Sequence, residues 1–269
     1  MQNLCNSVTK FYPEFDVAIF DDDSNDELTK KVLNELQNAG AKVMVASAKN
    51  DSKHGGLYTQ MNNALQYAIE EGYDYAYFVQ DDMQFLWRDE LLESRVKSAF
   101  ERKECLMCNC SFLQKILTEG IEDRLPKVDG THVYSFETNG VADTGVIDIK
   151  KAESVGLNFP EKSERGNGRY WYDKGYRLYW LPVSHLAWLP WPSTYRNKQL
   201  EQRRVNVLEP LSQSAINRIK DNTGYAYLED YTSLVKWKPK PYWFTASPGK
   251  LNLLKIYMKY YFRALIGKN

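Results

Sequence analysis

Between Tyr75 and Phe85 the chain reads Tyr-Ala-Tyr-Phe-Val-Gln-Asp-Asp-Met-Gln-Phe, an aromatic and β-branched run that ends abruptly in two adjacent carboxylates, Asp81 and Asp82. Residues of this kind predict a strand that delivers acid to its C-terminal end. In open α/β sheets the crevice beyond the carboxyl ends of the strands is where ligands bind. Adjacent hard oxygen donors there suit Mg²⁺ or Mn²⁺ carrying a phosphorylated substrate. A second segment has the same design, Asp16-Val-Ala-Ile-Phe running into Asp21-Asp22-Asp23-Ser24-Asn25-Asp26. Either cluster alone also suits a solvated turn or a helix N-cap. Two such clusters in one frame point to a nucleotide site.

The elements between them are those that would position both ends. Glu27 to Ala39 carries Leu28, Val32, Leu33 and Leu36 at helical spacing and stops at Gly40. Lys42 to Ala48 reads as a strand, and Tyr58 to Glu71 as a helix ending at Gly72. Strand, helix, strand, helix, strand implies parallel pairing with right-handed crossovers.

These residues resemble family 2 glycosyltransferases. Ile19-Phe-Asp-Asp-Asp-Ser-Asn-Asp26 is similar to that family's V-D-D-G-S-x-D turn, and Gly56 with Asn62, Ala64, Leu65 and Ala68 resembles its G…N-x-G/A-L-x-x-A helix. Gln80-Asp81-Asp82 falls where the family carries D-x-D. Gly145-Val146, Val155-Gly156, Phe159-Pro-Glu161, Gly175-Tyr-Arg177 and His185 follow the order of its acceptor-side half, so the likeness spans roughly residues 2 to 190. It implies a glycosyltransferase type A fold, an α/β Rossmann-like architecture. It also implies a metal-dependent, inverting transfer of sugar from a nucleotide diphosphate sugar to a carbohydrate or lipid-linked acceptor, in cell-surface polysaccharide synthesis.

Carried over residue by residue, the resemblance gives Asp21 or Asp22 the nucleotide base, Asp81 the ribose and Asp82 a Mn²⁺ or Mg²⁺ ion, with Asn62 on the donor-side helix. His185 would complete the metal or diphosphate site. Counting back from Gly175 gives Ser163-Glu164, so Glu164 is the candidate base, with Glu161 and Asp173 as competitors in a segment that Gly166 and Gly168 mark as loop. A departing diphosphate gains negative charge and an acceptor hydroxyl must lose a proton, which is why a metal and a carboxylate are both required.

Three features depart from the family pattern. Gln2 to Tyr12 look like the helix that follows the family's first strand, and that strand is absent before Asp16, which would leave neighbouring strand edges uncovered. Met61 stands where the family often places arginine, and Gln80 replaces the first acid of D-x-D. Phosphate charge would then fall to Lys53, His54 or Arg196.

The 269 residues, 43% hydrophobic and 26% charged, describe a cored protein with little expected disorder. No signal peptide and no apolar run of about eighteen residues is visible, so a cytoplasmic location is expected. A formal net charge of +0 conceals an asymmetry, because Lys236 to Asn269 contains eight basic side chains and no acid. Leu251, Leu254, Tyr257, Met258, Tyr261 and Leu265 recur there at helical spacing, with Lys255, Lys259 and Arg263 on another face. That pattern suits an interfacial helix on an anionic membrane surface, or a helix packed on the main domain with its lysines in water. No RNA or DNA module is visible, and nucleic acid is not an expected partner. The expected division is a glycosyltransferase type A domain over 1–199 and a basic aromatic extension over 200–269. The dense aromatics of Leu181 to Arg196 suit stacking on a sugar face or plugging the domain edge.

Cys105, Cys108 and Cys110 form C-x-x-C-x-C, yet a structural zinc site needs four ligands, and Glu104 to Phe112 reads more simply as a buried strand with reduced thiols. Two other functions compete with the leading one. Asp21-x-Asp23 after a hydrophobic strand fits a haloacid dehalogenase type phosphohydrolase with Asp21 as nucleophile. A non-catalytic or truncated glycosyltransferase-like subunit would keep the fold without turnover.

Overall fold

The computed structural model describes residues 1–24, 27–46, 56–109, 134–135, 144–161, 163–181, 185–188, 206–208, 210–221 and 237–239. Helix α1 (Gln2–Phe11) leads into β1 (Ala18–Asp21), α2 (Glu27–Asn38), β2 (Lys42–Val45), α3 (Leu57–Glu70) and β3 (Tyr75–Phe78), the expected alternation. Helix α2 ends at Gly40, whose φ of 97° suits a residue without Cβ. The basic aromatic tail beyond Pro239, Cys110, and the cations Lys53, His54 and Arg196 lie outside the described residues.

One expectation is corrected here. β1 and β2 do pair in parallel, from Ala18 opposite Lys42 to Asp21 opposite Val45. β3, however, pairs antiparallel with β7 (Gly145–Asp148), and no ladder joins it to β1. The single parallel sheet is thus interrupted between β1 and β3, where the resemblance places the family's first strand. The strand expected to deliver the second acid pair is β3. It ends at Phe78, turns through Asp81 and Asp82, and resumes as β4 (Met83–Phe85), antiparallel to β9 (Leu186–Trp188). A continuous strand would send one of two adjacent carboxylates to each face, one of them toward the core, and the turn avoids burying that charge.

The main sheet has the order β3-β7-β5-β8-β6, with β5 (Cys105–Asn109), β8 (Arg177–Trp180) and β6 (Tyr134–Ser135). It is mixed, since β5 and β8 run parallel while the other pairs are antiparallel. One face packs α1 and α4 (Leu92–Phe100) through Leu4, Val8, Tyr12, Leu92, Val96 and Ala99. The other packs α3, α5 (Ile149–Val155) and α6 (Glu164–Asp173) through Tyr58, Met61, Leu65, Ala152 and Trp171. In β3 the faces alternate as a pleat requires: Tyr75 and Tyr77 go to the first core, Ala76 and Phe78 to the second. A bulge in β5 between Cys105 and Met107 breaks that alternation, so Leu106 and Met107 share one face and Cys105 and Cys108 the other. Cys5, Cys105 and Cys108 are buried thiols, and Cys105 and Cys108 lie in the buried strand expected there.

Gly145 opens β7 because β5 lies against it. A Cβ there would fall 2.5 Å from the Cys108 carbonyl oxygen and 2.8 Å from the Asn109 Cα. Beyond residue 199 are described β10 (Asn206–Leu208), paired antiparallel with β11 (Trp237–Pro239), and α7 (Gln213–Asp221). Just before α7, Leu211 is buried and donates its N–H to the Leu86 carbonyl at 3.1 Å, which ties this segment to the end of β4. Among the described residues no helix is long and apolar enough to cross a membrane.

One polar tie across β5 and β8 makes stability pH-dependent. The Tyr179 hydroxyl donates to Glu104 Oε1 at 2.7 Å, and this bond above all holds the Glu104 carboxyl below the ordinary glutamate range. Burial, then the same bond, pushes the Tyr179 phenol up. A depressed carboxyl contributes stability that is present above its unfolded pKa and lost as pH falls through the folded one. Tyr179→Phe should therefore cost about 1.5 kcal/mol near neutrality. In urea unfolding the gap to wild type should narrow between pH 7 and pH ~3, below the ordinary glutamate value of about 4.3. An unchanged gap would mean that the carboxylate form is not what the phenol holds.

Candidate functional site

Asp21 ends β1, buried, and closes its own turn: Oδ2 accepts from the Ser24 N–H and Oδ1 from the Ser24 hydroxyl, both at 2.7 Å. Asp23 then takes the left-handed region, φ 54°, which aspartate tolerates better than most side chains. The turn aims Asp22 at the start of α3, where its Oδ2 accepts from the Gly56 N–H. A Cβ on Gly56 would stand 2.2 Å from Asp22 Oδ1, so glycine is what lets backbone and carboxylate meet. With both of its oxygens engaged in this turn, a buried Asp21 is poorly placed to attack a phosphoryl group.

The second acid pair lies in the turn between β3 and β4, Asp81 exposed and Asp82 half-buried. The turn is closed by the Met83 N–H donating to the Gln80 carbonyl at 3.2 Å. Behind it β4 is pinned to α1, since the Phe85 N–H donates to the Ser7 hydroxyl at 3.0 Å. His185 sits beside β4, fully buried. Its ring stacks on Phe85 at 5.6 Å, meets Tyr12 and Tyr77 edge-on, and has Nε2 3.1 Å from the Tyr77 hydroxyl. The structure therefore places this histidine in an aromatic cage beside β4, the strand that follows the Asp81–Asp82 turn. Among the described residues no three His, Cys, Asp or Glu side chains gather as a closed metal site. Mg²⁺ and Mn²⁺ do not require one, because they retain waters and take oxygens from substrate phosphates besides one or two carboxylates. The oxygen donors of Asp81 and Asp82 fit such an ion.

The third group belongs to α6. Gly166 and Gly168 mark this segment as loop in the sequence, but the chain is helical from Glu164 to Asp173. Its start is fixed by Ser163, whose Oγ accepts from the Gly166 N–H at 3.0 Å. Glu164 occupies the first turn, half-buried, and Glu161 lies just before it, exposed. Asp173 is at the other end, about 13 Å along the axis at the rise of a helix. Its carboxylate is engaged by Arg169 Nε at 3.0 and 3.1 Å. The edge of Phe159 meets Phe78 with centroids 6.5 Å apart, which brings the segment before α6 to the end of β3.

Asn62 is half-buried and faces that same segment. Its Nδ2 donates to the Phe159 carbonyl at 3.2 Å and its Oδ1 accepts from the Phe159 N–H at 2.8 Å. Met61 beside it is core. Sequence reasoning missed Asn167, which is 0% exposed. Its Oδ1 accepts from the Glu161 N–H at 2.9 Å, and its Nδ2 donates to the carbonyls of Glu161 at 2.9 Å and Ser163 at 3.2 Å. The available signal was an asparagine between two glycines inside a span that proves helical.

No family model and no curated protein matches the chain. Solved structures do. The crystal structure of GalNAc-T7 with UDP, GalNAc and Mn²⁺ superposes with a TM-score of 0.51 at 14% identity, over 70% of this chain and 40% of that one. The chain has the glycosyltransferase type A fold. S. aureus TarS is also similar, with UDP (TM-score 0.46, 18% identity, 72% of this chain and 57% of that one) and without it (0.47, 17%, 86% and 67%). The chain thus spans less than half the length of GalNAc-T7.

The meeting of Asp22 with Gly56 gives a direct check. Gly56→Ala should destabilise the protein by about 1 to 3 kcal/mol, as overpacking does. Combining it with Asp22→Ala should cost less than the sum of the two single changes, because removing the carboxylate removes the clash. Additive losses in thermal unfolding would place the close approach elsewhere.

Proposed function

We propose that this chain is a glycosyltransferase of family 2 type that uses Mn²⁺ or Mg²⁺ and moves a sugar from a nucleotide diphosphate sugar to a carbohydrate or lipid-linked acceptor. One observation carries the reading. The C-terminal ends of β1 and β3 each lead into an aspartate pair in one glycosyltransferase type A frame, and the segment that carries Glu161 and Glu164 into α6 meets the β3 end through Phe159 and Phe78. Nucleotide-diphosphate chemistry needs those parts: polar groups for the base and ribose, hard oxygen donors for a cation, and a carboxylate for the acceptor proton. UDP and Mn²⁺ in the GalNAc-T7 structure belong to that protein, and they support the same use of the shared fold here.

In this reading Asp22, with Asp21 shaping its turn, lies against the base, Asp81 holds the ribose, and Asp82 holds the cation. A bound divalent ion would supply positive charge to the departing diphosphate. Glu164 or Glu161 takes the proton from the acceptor hydroxyl as that oxygen attacks the anomeric carbon, and attack from the face opposite the leaving group inverts the configuration. Cell-surface polysaccharide assembly at the cytoplasmic membrane face is the process proposed, by resemblance to family 2. The basic, acid-free stretch from Lys236 suits that surface in composition.

A second reading has its own observation. The ladder is missing between β1 and β3, the strands whose ends carry the two acid pairs, and a chain that keeps the fold without turnover could tolerate this gap.

Calorimetric titration with UDP and GDP, each with and without Mn²⁺, separates the two. Metal-dependent binding of one nucleotide, weakened at least about tenfold in Asp82→Ala, is the expected result, since loss of a charged contact costs about 1.5 to 3 kcal/mol. A folded chain that binds neither nucleotide overturns the enzyme reading in favour of the second.

A further inference from the structure

On the approach to α6, the backbone of Asn158, Phe159, Glu161 and Ser163 is bonded to side chains. The Trp171 Nε1 donates to the Asn158 carbonyl at 2.7 Å, Asn62 takes both polar groups of Phe159, Asn167 takes both of Glu161, and Asn167 also reaches the Ser163 carbonyl. Two helices on the same face of the sheet, α3 and α6, supply these groups. Packing alone does not ask for them, since an apolar core needs no buried amide, and each amide placed there is costly unless fully bonded. Every polar atom of the Asn167 side chain has a partner, and all of those partners lie in this one segment.

The same device is visible in what α6 gives up. Asn167 and two neighbouring glycines are poor helix formers. Gly166 has a local reason: a Cβ there would lie 2.9 Å from the Glu161 Cβ and 2.7 Å from the Ser163 Oγ. The bare position leaves room for the Glu161 side chain to cross the first turn of α6. Its backbone is held on both sides by Asn167, while the side chain remains exposed. Glu164 sits in the helix proper, and Asp173 is occupied by Arg169 at the far end.

Resting on the glycosyltransfer reading above, we propose that Asn167 and Asn62 are positioning residues that hold Glu161 over the start of α6, and that Glu161 is the carboxylate that takes the acceptor proton. An asparagine expected on the nucleotide side thereby serves the acceptor side. The fixed backbone leaves only side-chain torsions of Glu161 to settle, and a misplacement of about 1 Å in such a group can cost on the order of 100-fold in rate.

The test uses the full chain and four variants: Asn167→Asp and Asn62→Asp, which keep shape but set a carboxylate oxygen against the carbonyls that each amide bonded and so push the segment away, and Glu161→Gln and Glu164→Gln. Three measurements are made on each: amide hydrogen exchange at Phe159 and Glu161, UDP titration with Mn²⁺, and release of UDP from UDP-glucose, UDP-N-acetylglucosamine and UDP-N-acetylgalactosamine with water as acceptor. The expected result is faster exchange at both amides in the two asparagine variants, UDP affinity within about twofold of wild type, and kcat lowered about 10-fold to 100-fold with KM little changed. Glu161→Gln should flatten the basic rise of the pH–rate profile and Glu164→Gln should not.

A merely structural clamp would lower thermal stability in the asparagine variants while leaving kcat of the folded protein intact, and that outcome overturns the proposal. Loss of the pH-dependent limb in Glu164→Gln instead of Glu161→Gln overturns it as well, as does a wild type that binds UDP with Mn²⁺ but releases none from any donor. A wild type that binds neither UDP nor GDP is the failure of the glycosyltransfer reading itself, and the catalytic assignment of Glu161 falls with it; one that binds GDP alone is carried through the same comparison with GDP-sugars. Exchange at Phe159 and Glu161 then still decides whether the two asparagines hold the segment. If Asn167→Asp does not fold, Asn62→Asp carries the same comparison from the other helix.

Discussion

Helix α3 is the constraint on which the rest depends. Strands β1 and β3 share no ladder, so the backbone hydrogen bonds that would normally set two neighbouring strands in register are missing between the two that deliver acids. The helix supplies that alignment by contacts on both sides. Toward β1, Tyr67 meets Phe20 edge-on at 6.0 Å and Gly56 meets Asp22. Tyr67 also lies 6.3 Å from Tyr73, at the approach to β3, where burial and then the Asp16 carboxylate push the Tyr73 phenol up to about 12. Toward the main sheet, Tyr58, Met61 and Leu65 join the second core and Asn62 grips Phe159. The distance between the two acid pairs is therefore a packing property of one helix, and it tolerates less disturbance than a hydrogen-bonded ladder would.

Periodicity made the elements legible, and chemistry of single residues made the ends legible. Glu27–Asn38 and Leu57–Glu70 were visible because their apolar residues recur at helical spacing and a glycine follows each, near positions where the chain takes positive φ. The acid turns were visible because aspartate is a strange continuation of an apolar strand. Pairing was not visible, since β3 meets β7 across a long sequence separation and nothing local in Tyr75–Phe78 prefers an antiparallel neighbour. Nor was α6: Glu-Arg-Gly-Asn-Gly argues locally against a helix, and tertiary bonds from Ser163, Asn167 and Trp171 override it.

His185 and Asn62 illustrate a related limit. Both fall at positions where the resemblance places functional polar groups, and sequence order alone cannot say which way a polar side chain faces. In the fold His185 fills a slot among three aromatic rings, where an imidazole offers a flat surface to Phe85 and a ring nitrogen to the Tyr77 hydroxyl. That pairing ties β3, which leads into the Asp82 turn, to the start of β9, and so bears on the acids through the backbone.

Gly56, Gly145 and Gly166 join these threads. Each is bare because something else must come close: a carboxylate at Gly56, a strand backbone at Gly145, and the Glu161 side chain with its capping serine at Gly166. Only Gly145 has a positive φ of the three, so backbone freedom is not their shared requirement. Two of the three bring an acidic side chain against the beginning of a helix, Asp22 at α3 and Glu161 at α6. The N-terminal end of a helix carries partial positive charge and unpaired N–H groups, which favour a carboxylate there. The fold thus uses the same local device at the starts of α3 and α6, and in each case the missing side chain gives an acid a seat at a helix end.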